Sequence, residues 1–400
     1  MPTPLDRSHE ALAFVLTDFL DAAHRIAPDQ LTDLIASSAG ELGARATRVW
    51  LADHPQQTLR HLTASAPEEP LPIDGTAAGR AFSTSEIVEH PGDVDQDRRL
   101  WVPLLDGVDR VGILEVEIVS PTAEGHEAFR HLASVATAEI VSRGRYTDHF
   151  TLTRRQRPMS LAAELQWQAL PPSTFSTDDI SVSGIMEPAY DIGGDTFDYA
   201  LNGDRLGLAI LDAVGHDLGS STISYLALGA YRNSRRHGTG LADAAGVMDR
   251  VIKDQLGEAS FATGQLAELD TSSGVLRWLN AGHPPPLLIR RGRVATLACR
   301  PRLPFGLGHV QPHRPPDIAE DPLEPGDGIL FYSDGVVEAR HVGGVDFGIE
   351  RLEQFLHTAF AAGLPPAEAL RRLSNAVLDF HGGVLRDDAT TLLVVWQPDR

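Results

Sequence analysis

The chain has 400 residues, 42% of them hydrophobic and 22% charged, which is an ordinary globular composition with room for two or three domains. A formal net charge of −21 argues against nucleic acid or anionic lipid as a partner, because such backbones repel an acidic surface. Cys299 is the sole cysteine and Lys253, in VIKDQ, the sole lysine, so an intramolecular disulfide, a Cys-rich zinc site and a Walker A loop are all excluded.

In chain order, Leu12, Val15, Leu16, Phe19 and Leu20 recur at helical spacing, and a second helix is predicted over Asp29 to Leu42. Strand-like runs follow, ATRVWLA, TLRHLTA, LWVPLLD and RVGILEVEIV, separated by Gly, Pro and Asp turns. A helix carrying Phe129, Leu132, Val135, Ala136 and Ile140 closes this segment. The order predicts an antiparallel sheet with packed helices over residues 1–150. LPIDGTAAGRAF (Leu71 to Phe82) and RLWVPLLDGVDRVGILEVE (Arg99 to Glu117) resemble the loose motifs of a GAF domain. That resemblance implies a sensory or dimerising module; the lack of a cysteine within it excludes a thioether-linked bilin or a thiol sensor.

RRQR (Arg154 to Arg157) is the densest basic stretch and reads as a solvated connector. Met159, Leu161, Ala162, Leu165 and Ala169 predict a single helix between Thr151 and Leu170, ended by Pro171 and Pro172. It serves equally as a linker, residues 151–172, for signalling or for a homodimer contact, or as simple packing on the next domain.

From Ile180 the pattern changes to the strands ISVSGIM, FDYAL, RLGLAIL, FATGQLAEL, VLRWLN, PPLLIRR, DGILFYS and TTLLVVW. Helices are predicted near Ser220 to Arg232, Gly240 to Gln255, Ile349 to Phe360 and Ala367 to Phe380. Residues 173–400 therefore predict a layered α/β sandwich. No run reaches the roughly 18 to 20 apolar residues that cross a bilayer, and MPTPLDRSHEAL lacks signal-peptide features, so a cytoplasmic protein is expected.

Acidic clusters stand at the ends of these strands: GGDTFD (Gly193 to Asp198), LDAVGHD (Leu211 to Asp217), YSDG (Tyr332 to Gly335) and RDDAT (Arg386 to Thr390). One carboxylate at a strand end is ordinarily a turn residue. Carboxylates gathered from four segments repel one another and call for a cation, and hard oxygen ligands favour Mg²⁺ or Mn²⁺. Two such ions about 4 Å apart can activate water and hold a phosphate for in-line attack. Spacing alone does not show that the clusters meet.

DIGGDTFD, DAVGHD, NAGHPPPLL, LPFG, GDGILFYSDGVVEAR and DDATTLLVV occur in the order found in the SpoIIE/RsbU-like branch of the metal-dependent PPM (type 2C) Ser/Thr phosphatases, which Ile180 to Trp396 resembles. The resemblance implies an α-β-β-α sandwich and two Mn²⁺ or Mg²⁺ ions. Asp195 and Asp212 would be central ligands, the Ala213 carbonyl would complete one shell, and Asp334 and Asp387 would bind the second ion. Asp198 and Asp388 would orient waters or face solvent, with Gly193, Gly194 and Gly215 allowing close approach and Gly335, beside Asp334, lying just outside the ligands. His216 would donate a proton to the leaving alkoxide or merely bond the loop, and His283 would fix a turn. Asp217 stands where the branch has Gly, and Ser333 where it commonly has Thr. The branch lacks the arginine that grips phosphate in eukaryotic relatives, so phosphate binding would rest on the metals. The implied substrate is a phosphorylated STAS-type anti-sigma-factor antagonist in a partner-switching pathway.

Two other readings compete. GGDTF superficially resembles the loop of a diguanylate cyclase, but that leaves DAVGHD, SDG and DDAT unexplained. A catalytically silent sensor or scaffold would keep the fold, but Asp195, Asp212, Asp334 and Asp387 are all present.

Overall fold

The computed structural model describes residues 4–63, 68–91, 97–191, 193–215, 218–311, 315–338, 346–383, 385 and 387–398. The chain divides into two compact units, Met1–Arg157 and Pro158–Arg400.

The first unit comprises α1 (Pro4–Ala23), α2 (Leu31–Glu41), β1 (Ala46–Ala52), β2 (Thr58–His61), β3 (Leu71–Pro72), α3 (Ala77–Thr84), β4 (Val88–Pro91), β5 (Arg98–Asp106), β6 (Asp109–Ile118), α4 (Ala123–Arg143) and α5 (His149–Arg154). Its strands form one antiparallel sheet in the order β3-β2-β1-β6-β5-β4. Alternation along the strands sends Val49, Leu51, Val102 and Leu114 into a core with Phe19, Ile35, Phe129 and Leu132 of α1, α2 and α4. Trp50, Trp101 and Ile113 face a second, smaller core against Ala78, Ala81 and Phe82 of α3.

The predicted single helix between Thr151 and Leu170 is instead two short ones. The chain turns extended at Arg155, Pro158 follows, and Ser160 accepts a hydrogen bond from the Ala163 N–H at 3.1 Å to start a new helix. The RRQR stretch is not simply solvated, because Arg154 Nε donates to the Ala52 carbonyl at 2.8 Å.

The second unit comprises α6 (Leu161–Ala169), β7 (Thr174–Ser176), β8 (Ile180–Glu187), β9 (Asp195–Asn202), β10 (Arg205–Ala213), α7 (Leu218–Arg236), α8 (Leu241–Leu256), β11 (Ala262–Asp270), β12 (Val275–Ala281), β13 (Leu287–Arg290), β14 (Arg293–Thr296), β15 (Ala319–Pro322), β16 (Asp327–Tyr332), α9 (Asp334–Val337), α10 (Ile349–Ala361), α11 (Pro366–Phe380) and β17 (Ala389–Trp396). Two antiparallel sheets face each other, one ordered β15-β12-β11-β10-β9 and the other β14-β13-β16-β17-β8-β7.

Val182, Phe197, Leu208, Ile210, Trp278, Ile329, Phe331, Leu392 and Val394 fill the space between the sheets. Alternate residues point outward. Leu211, Leu266 and Leu279 pack under Ala227, Tyr231, Met248 and Ile252 of α7 and α8. Leu330, Leu393 and Val395 pack under Leu352, Leu356, Leu370 and Leu373 of α10 and α11. The result is an α-β-β-α sandwich, as the sequence predicts. Gly184 on β8 lets the sheets close, since a Cβ there would run into the Phe197 ring.

Candidate metal centre

The inward-facing rows lead directly to the site. On β10 the sequence Leu206, Leu208, Ile210 continues to Asp212, and on β9 Tyr199 and Phe197 lead back to Asp195. The antiparallel register sets Asp195 opposite Asp212. From the other sheet, Val394 and Leu392 lead back through Thr390 to Asp388, while Ser333 and Asp334 follow Tyr332 at the end of β16. Four segments distant in sequence thus end at one edge of the inter-sheet space.

Electrostatics record their approach. Asp195 is 2% exposed, and burial lifts its pKa well above the carboxylate range; the charges of Asp212 and Asp388 add to the rise, while the hydroxyls of Ser333 and Thr390 oppose it. Asp212 is pushed up to about 7 by burial, then by Asp334, Asp387 and Asp388. Asp334 is raised by burial and by Asp387 and Glu338.

Asp388 has a different job. Its Oδ2 accepts hydrogen bonds from three successive backbone N–H groups, Gly193 at 2.8 Å, Gly194 at 2.8 Å and Asp195 at 3.1 Å. Burial still raises its pKa against these bonds. The carbonyls of the same loop are held as well: Ser221 Oγ donates to Gly193 at 2.6 Å, Ser224 Oγ donates to Gly194, and Gln166 Nε2 donates to Asp195 at 2.8 Å. Close packing demands the two glycines nearest the acids. A Cβ on Gly194 would strike the Ala213 carbonyl, and one on Gly335 would strike the Asp388 carbonyl.

These residues fit divalent cations. Asp195 Oδ2 is buried without a hydrogen-bond partner, and the surrounding carboxylates raise one another's pKa, so a positive charge is what the cluster lacks. Among the described residues no group of three or more His, Cys, Asp or Glu side chains is placed to hold a metal ion by itself. Small hard cations do not require one, since they keep several waters and take one or two carboxylates each from the protein. A cage of three would suit zinc better.

Parts of the chain are similar to known proteins. Residues 202–397 match the family model of Stage II sporulation protein E (SpoIIE). That match lies wholly within the second unit. Protein IcfG of Synechocystis is 23% identical over 262 residues, covering 58% of this chain and 40% of IcfG. Phosphoserine phosphatase RsbU of Bacillus subtilis is 21% identical over 256 residues, covering 62% of this chain and 74% of RsbU. Among solved structures, the RsbU and RsbW domains of Rv1364c from Mycobacterium tuberculosis match at 26% identity and a TM-score of 0.48, covering 58% of this chain and 64% of that one. The chain thus spans less than half the length of IcfG.

Within the second unit, the structure brings Asp195, Asp212, Asp334, Asp387 and Asp388 close enough for their charges to act on one another. It corrects the expectation for Asp198. That residue is 1% exposed and lies on the opposite face of β9, where Arg232 and Arg235 of α7 bind it at 2.7 and 2.6 Å. It neither faces solvent nor orients waters at the centre; it clamps α7 onto the sheet. Asp388 likewise is buried rather than solvent-facing. Gly215 takes φ +102°, a left-handed value that favours glycine. His216 and Asp217 lie outside the described residues.

His283 is buried, its N–H donates to Asn280 Oδ1 at 2.8 Å, and Asn280 Nδ2 returns a bond to the His283 carbonyl at 2.8 Å. The backbone of His283 therefore fixes this turn, while its ring, with a pKa lowered to about 3 by burial, is neutral and sets Nδ1 2.9 Å from Thr263 Oγ1. Gln166, Ser221 and Ser224 escaped the sequence reading. The i, i+3 spacing of the two serines on α7 was the one available signal, and Gln166 had none.

Proposed function

We propose that the chain hydrolyses phosphoserine or phosphothreonine on a protein, using two Mn²⁺ or Mg²⁺ ions. The observation that carries this is a cluster of carboxylates from four segments, in which Asp212 and Asp388 act on a buried Asp195 whose Oδ2 has no hydrogen-bond partner, and Asp334, Asp387 and Asp388 act on Asp212. Asp195, Asp212, the Ala213 carbonyl, Asp334 and Asp387 are the residues that would hold the ions. Bound there, the ions supply Lewis-acid charge and an activated water, so no side-chain nucleophile is needed. Asp388 keeps the Gly193–Asp195 loop in place so that Asp195 meets the ions in a fixed orientation. His216 is assigned the proton donated to the leaving serine oxygen.

The substrate we assign is a phosphorylated STAS-type anti-sigma-factor antagonist in the cytoplasm; the relationship to the phosphoserine phosphatase RsbU supports it. A phosphoserine peptide should be turned over with Mn²⁺ and lose turnover in EDTA. Turnover that persists in EDTA would overturn the metal mechanism, and none with any metal would favour the silent scaffold.

We assign the first unit a GAF-like sensory or dimerising role, supported by its six-stranded antiparallel sheet with helices on both faces. Its influence would pass along the chain between α5 and α6. A Gly/Ser insertion at Pro158 should then make turnover by the full chain equal to that of residues 158–400 alone; turnover unchanged from the uninserted chain would reject this route. Among the described residues no helix is long and apolar enough to cross a membrane.

A further inference from the structure

The segment Gly193–Asp195 enters β9, which is an edge strand. One side of that strand pairs with β10, and the groups on its free side must find other partners or remain unsatisfied. Gln166 of α6 supplies one. Its Nε2 donates to the Asp195 carbonyl at 2.8 Å and approaches the Gly193 carbonyl at 3.4 Å. The side chain is fully buried, and its Oε1 has no hydrogen-bond partner.

A half-satisfied buried amide is a poor choice for packing alone, since burying a polar atom without a bond is unfavourable and Leu or Met would fill the space better. What distinguishes Gln from those residues is its N–H donation to the loop. Ser221 acts on the same segment from α7, with its Oγ 2.6 Å from the Gly193 carbonyl. Two helices therefore grip carbonyls on either side of the peptides that orient the Asp195 side chain.

We propose that Gln166, together with Ser221, is a positioning residue for Asp195, fixing the backbone from which that carboxylate reaches its cation. The inference rests on the assignment of Asp195 as a metal ligand. Neither residue touches the phosphate or the reacting atoms. Their removal loosens metal binding while leaving recognition of the phosphopeptide alone.

The test uses the full chain with Gln166→Met, which keeps volume and removes the donor, and Ser221→Ala, a mild change within a helix. Mn²⁺ binding is measured by calorimetry, KM and kcat for a phosphoserine peptide across a Mn²⁺ titration, and the melting temperature in EDTA. Partners that orient metal ligands typically affect affinity by 10- to 100-fold, so a Mn²⁺ Kd raised about ten-fold or more is expected for Gln166→Met, with peptide KM unchanged at saturating Mn²⁺. A folded Gln166→Met protein with wild-type Mn²⁺ affinity overturns the proposal. Should that variant fail to fold, Ser221→Ala decides on the same readout: weakened Mn²⁺ binding supports the clamp, and wild-type binding rejects it. A wild-type chain that neither binds Mn²⁺ nor hydrolyses the peptide overturns the underlying reading instead.

Discussion

Asp212→Asn should abolish metal-dependent turnover and at the same time stabilise the metal-free protein. The two effects have one cause. Burial and the charges of Asp334, Asp387 and Asp388 lift the Asp212 pKa from 3.8 to about 7. A carboxyl whose folded pKa is raised keeps a proton that the unfolded chain releases, so the folded state loses stability as pH climbs from about 4 towards 7 and carries the full cost above that. Asparagine removes the charge and with it this slope. The gain at pH 8 in EDTA should be on the order of 2 kcal/mol, or roughly 4–8 °C in melting temperature.

With Mn²⁺ the order inverts. Wild type then gains stability as pH rises, because the ionised carboxylate is the form that binds metal. The variant loses that gain, and its turnover should fall by roughly a thousand-fold or more, about 4 kcal/mol in the barrier. Melting curves with EDTA and with Mn²⁺ between pH 5 and 8 check the first part, and peptide turnover the second. An Asp212→Asn protein less stable than wild type in EDTA at pH 8 would show that repulsion does not govern this centre.

The sandwich was legible because its central strands are long and apolar, as in RLGLAIL and TTLLVVW, and their ends announce themselves with Asp and Gly. The strands missed in the second unit are edge or near-edge pieces. β14, RVAT, is largely exposed, and β15, AEDP, is acidic and contains proline, so neither carries an apolar alternation. In the first unit, β3 has only two residues and exists through its pairing with β2.

The candidate ligands were legible as residue types, but sequence spacing could not bring them together. What does so is the parity of each strand: Asp195 and Asp212 continue the inward rows, and Asp198, three residues along β9, falls on the other face. The position of Asp198 was thus open to inspection once β9 was taken to begin at Asp195. The sequence reading began that strand at Phe197, which left Asp198 without a neighbour across the sheet.

Asp387 and Asp388 are adjacent yet should fail in opposite ways. Asp388 is buried, and its Oδ2 is the acceptor for the N–H groups of Gly193, Gly194 and Asp195. Asp388→Ala strands three donors near the protein interior, and each unsatisfied buried donor costs about 1–3 kcal/mol. Some of that will be recovered by water, so a loss of roughly 3–5 kcal/mol is expected, together with loss of activity as the Asp195 loop loosens. Asp388→Asn keeps an acceptor oxygen and removes a charge that burial disfavours, so it should retain most of the stability. Asp387 is exposed, and its Oδ1 accepts the Asp388 N–H at 3.0 Å. Asp387→Ala should therefore change stability by no more than about 1 kcal/mol while weakening Mn²⁺ binding and turnover. Urea unfolding paired with Mn²⁺ titration separates the two. If Asp387→Ala proves the destabilising variant and Asp388→Ala the one that only loses metal, the roles assigned to this acidic pair are reversed, and the loop from Gly193 to Asp195 is held by something other than the carboxylate it surrounds.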